Sequence, residues 1–82
     1  MYHTLAIKVH CAARIRERLN RIPISRDIDK LRQALLTNNS DCFLRREYPE
    51  SIVGICRYQN IYTSAVYDKE HGMIKTVGVP LT

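Results

Sequence analysis

The sequence of 82 residues lacks the motifs that assign an enzyme class at once. It contains no glycine-rich phosphate-binding loop, no H-E-x-x-H zinc motif and no serine nucleophile elbow. Its acidic residues are scattered, and no pair has a spacing that indicates a division into acid and base. Repeats and segments rich in glycine, serine or proline are also missing, so we predict one ordered domain spanning residues 1–82.

Long hydrophobic runs and paired cysteines are missing as well. No segment approaches the roughly 20 apolar residues that cross a bilayer, and the first residues lack an apolar run long enough for a signal peptide, so we expect neither feature. The cysteines are Cys11, Cys42 and Cys56. An odd number without a C-x-x-C pair argues against a disulfide framework and against a zinc site, even with the histidines included. We therefore expect free thiols in a cytoplasmic protein with no membrane partner, metal or cofactor.

Positive charge is what the sequence has in excess. Its 13 lysine and arginine residues against 8 acidic residues give a formal net charge of +5. An excess of this size favours an anionic partner, with nucleic acid as the first candidate. The alternative is that the charge serves solubility alone, since many small proteins are basic.

A predicted helix over residues 10–21 organises these charges. At about 100° per residue, its side chains divide between an apolar face and a charged face. The apolar face, which we expect to be buried, consists of Ala12, Ile15, Leu19 and Ile22. The charged face contains His10, Arg14, Arg18 and Arg21, with Glu17 among them. Pro23 is expected to end the helix, and alternation in residues 2–8 indicates a short edge strand or an extended segment before it.

A second helix and a sheet are predicted to follow. Ser25 is a good N-cap residue, and residues 38–41 are turn formers that end the second helix. Its apolar stripe consists of Ile28, Leu31, Leu35 and Leu36. Strands are predicted over residues 42–47, 52–58, 61–67 and 73–79, with Phe43 as the apolar anchor of the first and Pro80 ending the last.

These elements predict an α+β domain in which two N-terminal helices pack on a three- to four-stranded antiparallel sheet. The helices cover one sheet face, and the other face is open to solvent or to a partner. We place Tyr58, Tyr62 and Lys75 on the open face. In residues 61–67 both alternate sets carry apolar side chains, so the pattern leaves open which set faces the helices.

The charged row on the first helix suggests a chemistry. Cleavage of RNA without a metal needs a base for the 2′-hydroxyl, an acid for the leaving 5′-oxygen and cations for the phosphorane. An unperturbed histidine, with a pKa of about 6.5, can act as base or acid, so we assign that role to His10, and Arg14 and Arg18 can hold the phosphate. Thr76, or alternatively Thr63, can add a hydroxyl. We assign nucleic-acid binding to Arg21, Tyr58, Tyr62 and Lys75.

Each of these residues also has a purely structural interpretation. A row of arginines with an intervening glutamate is usually a solvated helix face with ion pairs three and four residues apart. Threonine is a good strand former, and tyrosine more often packs in a core than stacks on a base. The two interpretations differ in whether the side chains meet in one place.

Several motifs resemble a widespread prokaryotic group. They are the run His10-x-x-x-Arg14-x-x-x-Arg18, the Ile24-Ser25 start of a second helix, and the strand ends Tyr67-Asp68 and Ile74-Lys75-Thr76-Val77. The group consists of short HA-x-x-R-x-x-x-R proteins related to BrnT toxins, within the barnase–EndoU–colicin–RelE superfamily. This chain departs from the pattern at Cys11, Glu17 and Lys75.

The resemblance implies an αα-ββββ domain with a metal-independent ribonuclease site. The residues that it maps onto this site are His10, Arg14, Arg18 and Thr76. It also implies an antitoxin as partner.

Two functional hypotheses follow, and a third is weaker. The first is an RNA-cleaving toxin. The second is a non-enzymatic module of the same fold, such as an inhibitor encoded by a phage or mobile element that binds a host protein or nucleic-acid machine through its basic face. The third is DNA binding by a helix-turn-helix, which Pro23 and the predicted sheet disfavour.

Overall fold

The computed structural model describes residues 2–81, and the side-chain environment of residues 4–78. Helix α1 (Tyr2–Arg14) continues into a π-helical turn (Ile15–Leu19) and is followed by helix α2 (Ser25–Thr37). Four strands follow: β1 (Cys42–Glu47), β2 (Ser51–Tyr58), β3 (Ile61–Asp68) and β4 (Met73–Leu81). They form one antiparallel sheet in the order β1-β2-β3-β4. The predicted α+β fold, with two N-terminal helices packed on an antiparallel sheet, is confirmed.

The prediction of an extended segment over residues 2–8 is wrong, because these residues belong to α1. Leu5 and Val9, two of the alternating apolar residues, are exposed. The inward side chains instead follow a helical spacing, with Ile7 half-buried and Cys11 and Ile15 buried. The burial of one helical stripe against the sheet therefore decides the conformation of this segment.

The first helix also ends earlier than predicted. The π-helical turn ends at Leu19, and Asn20 adopts a left-handed conformation with φ 54°. Left-handed asparagine is a common helix ending. Because the chain leaves the helix at this point, Ile22 loses the phase of the apolar stripe and is 73% exposed, contrary to prediction.

Helix α2 follows the prediction closely. Ser25 is its first residue and not its cap, since the Ile24 carbonyl accepts the amide hydrogens of Asp27 and Ile28. The helix ends where predicted, with Asn38 in a left-handed conformation. Leu31, Ala34 and Leu35 are buried, whereas Leu36 is exposed.

The sheet buries one alternating set of side chains beneath the helices. In β3 this set consists of Thr63, Ala65 and Tyr67, which resolves the ambiguity over residues 61–67. All three cysteines are buried and free, as predicted. The expected stop at Pro80 is wrong, because β4 runs to Leu81 and Pro80 pairs with Thr63. Proline is tolerated there because β4 is an edge strand.

Candidate nucleic-acid interface

The side chains of His10, Arg14 and Arg18, predicted to form one row on the first helix, do not form a single cluster of unpaired groups. His10 is exposed on α1 and takes part in none of the hydrogen bonds within the described part of the chain. Arg14 donates from Nη1 to both carboxylate oxygens of Glu17, each at 2.9 Å. The acid that interrupts the row therefore offsets the charge of Arg14.

Arg18 and Thr76 meet at one carbonyl oxygen on the edge strand. Arg18 donates from Nη1 to the Val77 oxygen at 2.8 Å, and the Thr76 hydroxyl lies 3.4 Å from that oxygen. His10 precedes Arg18 by eight residues, which is about 12 Å along a helix axis. The structure thus brings together two of the four predicted catalytic residues, and His10 and Arg14 lie one to two turns away from them.

Thr63, the alternative hydroxyl, is committed elsewhere. It is buried on the helix side of the sheet, where its hydroxyl oxygen lies 3.1 and 3.2 Å from the carbonyl oxygens of Ser64 and Gly78. Either carbonyl can accept its one hydrogen, so the buried hydroxyl is satisfied.

Tyr58 does not lie on the open face, which corrects its predicted role in base stacking. It is 0% exposed, and its hydroxyl donates to the Ile22 oxygen and accepts from the Ile24 amide, both at 3.1 Å. Burial raises the pKa of this hydroxyl. Tyr58 therefore holds the linker between the helices. Arg21 serves the same region, donating to the carbonyl oxygen of Asn20 at 3.3 Å and to the side-chain oxygen of Asn60 at 3.5 Å.

Tyr62 does lie on the open face, and it has an aromatic neighbour. The alternation of β3 turns it away from the helices, and it is 40% exposed. Its ring contacts that of Phe43 edge to face, with ring centres 5.5 Å apart and planes at 63°. Phe43, predicted as the apolar anchor of the first strand, is 47% exposed. Because side chains alternate along β1, either Cys42 or Phe43 could face inward. In the structure Cys42 is buried.

A bulge in β1 determines which arginine joins this face. Phe43 pairs with Ile55 and Arg46 with Val53, so Leu44 and Arg45 together oppose Gly54. Arg45 turns to the helix side and donates to the Leu35 oxygen at 2.6 Å. Arg46 is left on the open side. Leu44 has a φ of 54°, a conformation that costs a non-glycine residue roughly 1–2 kcal/mol.

The cations on and beside the open face are Arg46, Arg57 and Lys75. Arg57 is directly opposite Tyr62 in the register, and Arg46 is opposite Val53. Neither arginine forms an ion pair with the side chains described, residues 4–78. Lys75 is exposed in a second bulge, where β3 offers it no partner residue. It lies close enough to Asp68 to help lower the pKa of that carboxyl, which is lowered mainly by the hydrogen bond with His71.

One group of described residues has the donor types of a metal site. The ligand atoms of Asp68, Glu70 and His71, in the turn between β3 and β4, lie within 4.8 Å of one another. The pairing of Asp68 with His71 accounts for the arrangement without an ion, and nothing else in the turn indicates a metal.

Comparisons of the chain with protein-family models, with curated proteins and with solved structures gave no match. The resemblance to BrnT-like toxins therefore stays a prediction, as do the antitoxin partner and the cytoplasmic location. Within residues 2–81, neither helix is both long and apolar enough to span a bilayer.

Proposed function

We propose that the protein binds single-stranded RNA on the open face of its sheet. The observation that carries the proposal is the Phe43–Tyr62 ring contact on a sheet face that neither helix covers. Aromatic side chains on an exposed sheet stack with unpaired bases, and this mode of recognition is common among proteins that bind single-stranded RNA. If the same rings were buried, they would contribute only to packing in the core.

The charges beside the rings support an RNA partner over an apolar protein surface. In the register, Arg46 and Arg57 belong to the same outward set as the rings, and neither forms an ion pair among the side chains described. Arg57 Nε donates to the Gln59 carbonyl oxygen at 3.2 Å, and its other guanidinium hydrogens make none of the described bonds. The two arginines can neutralise phosphates beside a stacked base. A duplex hides its bases from such a platform, so single-stranded RNA fits it better than double-stranded nucleic acid.

The test measures the affinity for a fluorescent single-stranded RNA of about 10 nucleotides by anisotropy. Stacking contributes roughly 1–3 kcal/mol per base. The combined substitution Phe43→Ala and Tyr62→Ala is therefore expected to weaken binding at least about tenfold. Tyr48→Ala is the matched control, because Tyr48 is an exposed aromatic in the turn between β1 and β2, outside this face.

Two results would contradict the proposal. The first is an unchanged affinity in the double variant. The second is an equal loss in Tyr48→Ala, which would show that any exposed ring contributes. A duplex of the same sequence that binds as tightly as the single strand would count against base stacking as well.

A second candidate function is the metal-independent endoribonuclease that the resemblance implies. The specific observation in its favour is that Arg18 and Thr76 contact the same Val77 oxygen at the edge of the sheet. In this reaction the 2′-oxygen attacks the phosphorus and the 5′-oxygen leaves, with His10 taking or supplying a proton. The product is a 2′,3′-cyclic phosphate.

Cleavage is tested by incubating RNA with the protein in excess EDTA. His10→Ala is expected to lower the rate by roughly 10²–10⁴-fold, and Thr76→Val by less. His71→Ala removes a different imidazole and serves as control. If RNA binds but stays intact throughout the range from about pH 5 to pH 8, in which histidine ordinarily changes its charge, the catalytic hypothesis is wrong. The non-enzymatic inhibitor of a host protein then remains, and a specific partner in pull-down experiments would support it.

A further inference from the structure

A cavity of about 660 Å³ lies between α1, α2 and the start of β4, on the side of the sheet opposite the Phe43–Tyr62 pair. Ligand pockets typically have volumes of roughly 300–1,000 Å³. The first helix contributes Lys8, Cys11, Ala12 and Arg16, and α2 contributes Asp29 and Arg32. Neither His10 nor Arg18 lines this cavity.

The middle of the cavity is apolar. Cys11 and Ile74 are buried beneath it, and Ala12, Ile28 and Met73 are half-buried at its surface. Burial raises the pKa of the Cys11 thiol to about 11, so this thiol is uncharged at neutral pH. The middle therefore suits a flat, weakly polar group such as a nucleobase.

Two of the four charged residues at the cavity have no acidic partner. Arg32 donates from Nε and Nη2 to the Oδ1 atom of Asp29, at 2.9 and 2.7 Å, so these two charges offset each other. Lys8 and Arg16 are exposed and form no ion pair with the side chains of residues 4–78. The cavity thus has two uncompensated positive charges.

The spacing of these two cations indicates the shape of the ligand. Lys8 and Arg16 lie eight residues apart, about 12 Å along the helix axis, and Cys11 and Ala12 lie between them. A single phosphate does not use two cations placed at opposite ends of an apolar wall. A ligand with two anionic groups joined by a short spacer, and with an apolar group that branches from the spacer onto the wall, uses all three parts, because the long side chains of Lys8 and Arg16 can reach towards each other across the wall.

We propose that this cavity binds one nucleoside carrying a phosphate at each end, with the phosphates on Lys8 and Arg16 and the base against the apolar wall. The unit corresponds to a nucleoside 3′,5′-bisphosphate. The Oδ2 atom of Asp29 makes none of the hydrogen bonds described, so it is available to accept one from a ribose hydroxyl. The proposal does not rest on RNA binding by the open face, because no residue is shared between the two surfaces.

The test is isothermal titration with adenosine 3′,5′-bisphosphate, 5′-AMP, adenosine and inorganic phosphate as separate ligands. The bisphosphate is expected to bind roughly tenfold more tightly than 5′-AMP, since it adds one charge-assisted contact. Lys8→Gln and Arg16→Gln are each expected to remove most of that advantage. Lys30→Gln is the control, because it removes the same charge from α2 outside this cavity.

Circular dichroism establishes that the variants fold, which is expected because both substituted residues are exposed. Equal binding of the bisphosphate and inorganic phosphate would overturn the role of the apolar wall. An absence of bisphosphate binding, or an equal loss in Lys30→Gln, would overturn the site. The Phe43→Ala, Tyr62→Ala double variant should bind the bisphosphate normally, so failure here is distinguishable from failure of the open-face proposal.

Discussion

Tyr58 and Tyr62 lie four residues apart, on either side of the turn between β2 and β3, and they face opposite sides of the sheet. Tyr58 pairs with Ile61 and Tyr62 with Arg57, so the register assigns the two rings to different faces. Tyr58 is buried with both hydrogen-bonding functions of its hydroxyl used, and Tyr62 is exposed against Phe43. The same residue type is therefore structural in one strand and available for binding in the next.

The two faces differ in the same way as the two tyrosines. The helix face contains the core, with Ile15, Leu31 and Leu35 fully buried. The open face contains partly exposed rings and unpaired cations. We expect substitutions on the first face to change stability, and those on the second to change binding.

Truncation of the two tyrosines should give the largest contrast. Tyr58→Ala removes a fully buried ring, and losses of this kind typically cost about 3–5 kcal/mol. Tyr62→Ala should change the free energy of unfolding by no more than roughly 0.5 kcal/mol beyond the loss of its contact with Phe43. Urea denaturation measures both values. Similar losses in the two variants would show that the open face is also part of the core.

Removal of the hydroxyl groups alone should give a smaller contrast of the same sign. Tyr58→Phe leaves the Ile24 amide without its acceptor, and because this bond is only partly buried the cost should lie near the lower end of the roughly 1–3 kcal/mol expected for a buried donor. Tyr62→Phe should have almost no effect on stability and should retain RNA binding, because the ring that stacks remains. If both variants were equally stable, the Tyr58 hydroxyl bonds would not matter to the linker.

The smallest expected contrast is in how stability depends on pH. On the helix face, the residue that tests it is Cys11. Burial raises the pKa of this thiol from 9.0 to about 11, so above pH 9 the native state retains a proton that the unfolded state loses. Stability should therefore fall as pH rises from about 9 to 11, by up to about 1.4 kcal/mol per pH unit for this group. In Cys11→Ala the slope over this window should be shallower. An unchanged slope would assign the alkaline loss to other groups.

Asp68, at the end of β3, should act at the other end of the pH scale. Its pKa is lowered below 3.8, mainly by the hydrogen bond with His71, so the unfolded state takes up a proton first as the solution is acidified. The stabilisation is present above about pH 4 and is lost as pH falls through the lowered value. Asp68→Asn should remove this acid dependence without altering the alkaline one.

Local patterns predicted most of the architecture. The strand predicted over residues 52–58 is observed as Ser51–Tyr58, and that over 73–79 as Met73–Leu81. The second helix ends at the predicted asparagine. The start of the first helix was missed because Leu5, Ile7 and Val9 satisfy a period of two as well as they satisfy a helix, and only packing on the sheet separates these alternatives.

The residues of the open face and of the cavity were harder to predict from the sequence. The spacing of His10, Arg14 and Arg18 selected one side of the first helix, where Glu17 compensates Arg14 and a backbone carbonyl engages Arg18. The free cations Lys8 and Arg16 face another side, and they form a cavity only with α2 and β4. Arg46 joins the open face only because a bulge reorients β1.

The order and type of the elements follow from local patterns in the chain, because helical and strand periods and turn residues act between near neighbours. Folding in three dimensions determines which tyrosine is buried, which arginines lack an acidic partner and where a cavity opens. Those outcomes depend on strand register, on bulges and on contacts between residues distant in the chain, and no local pattern specifies them.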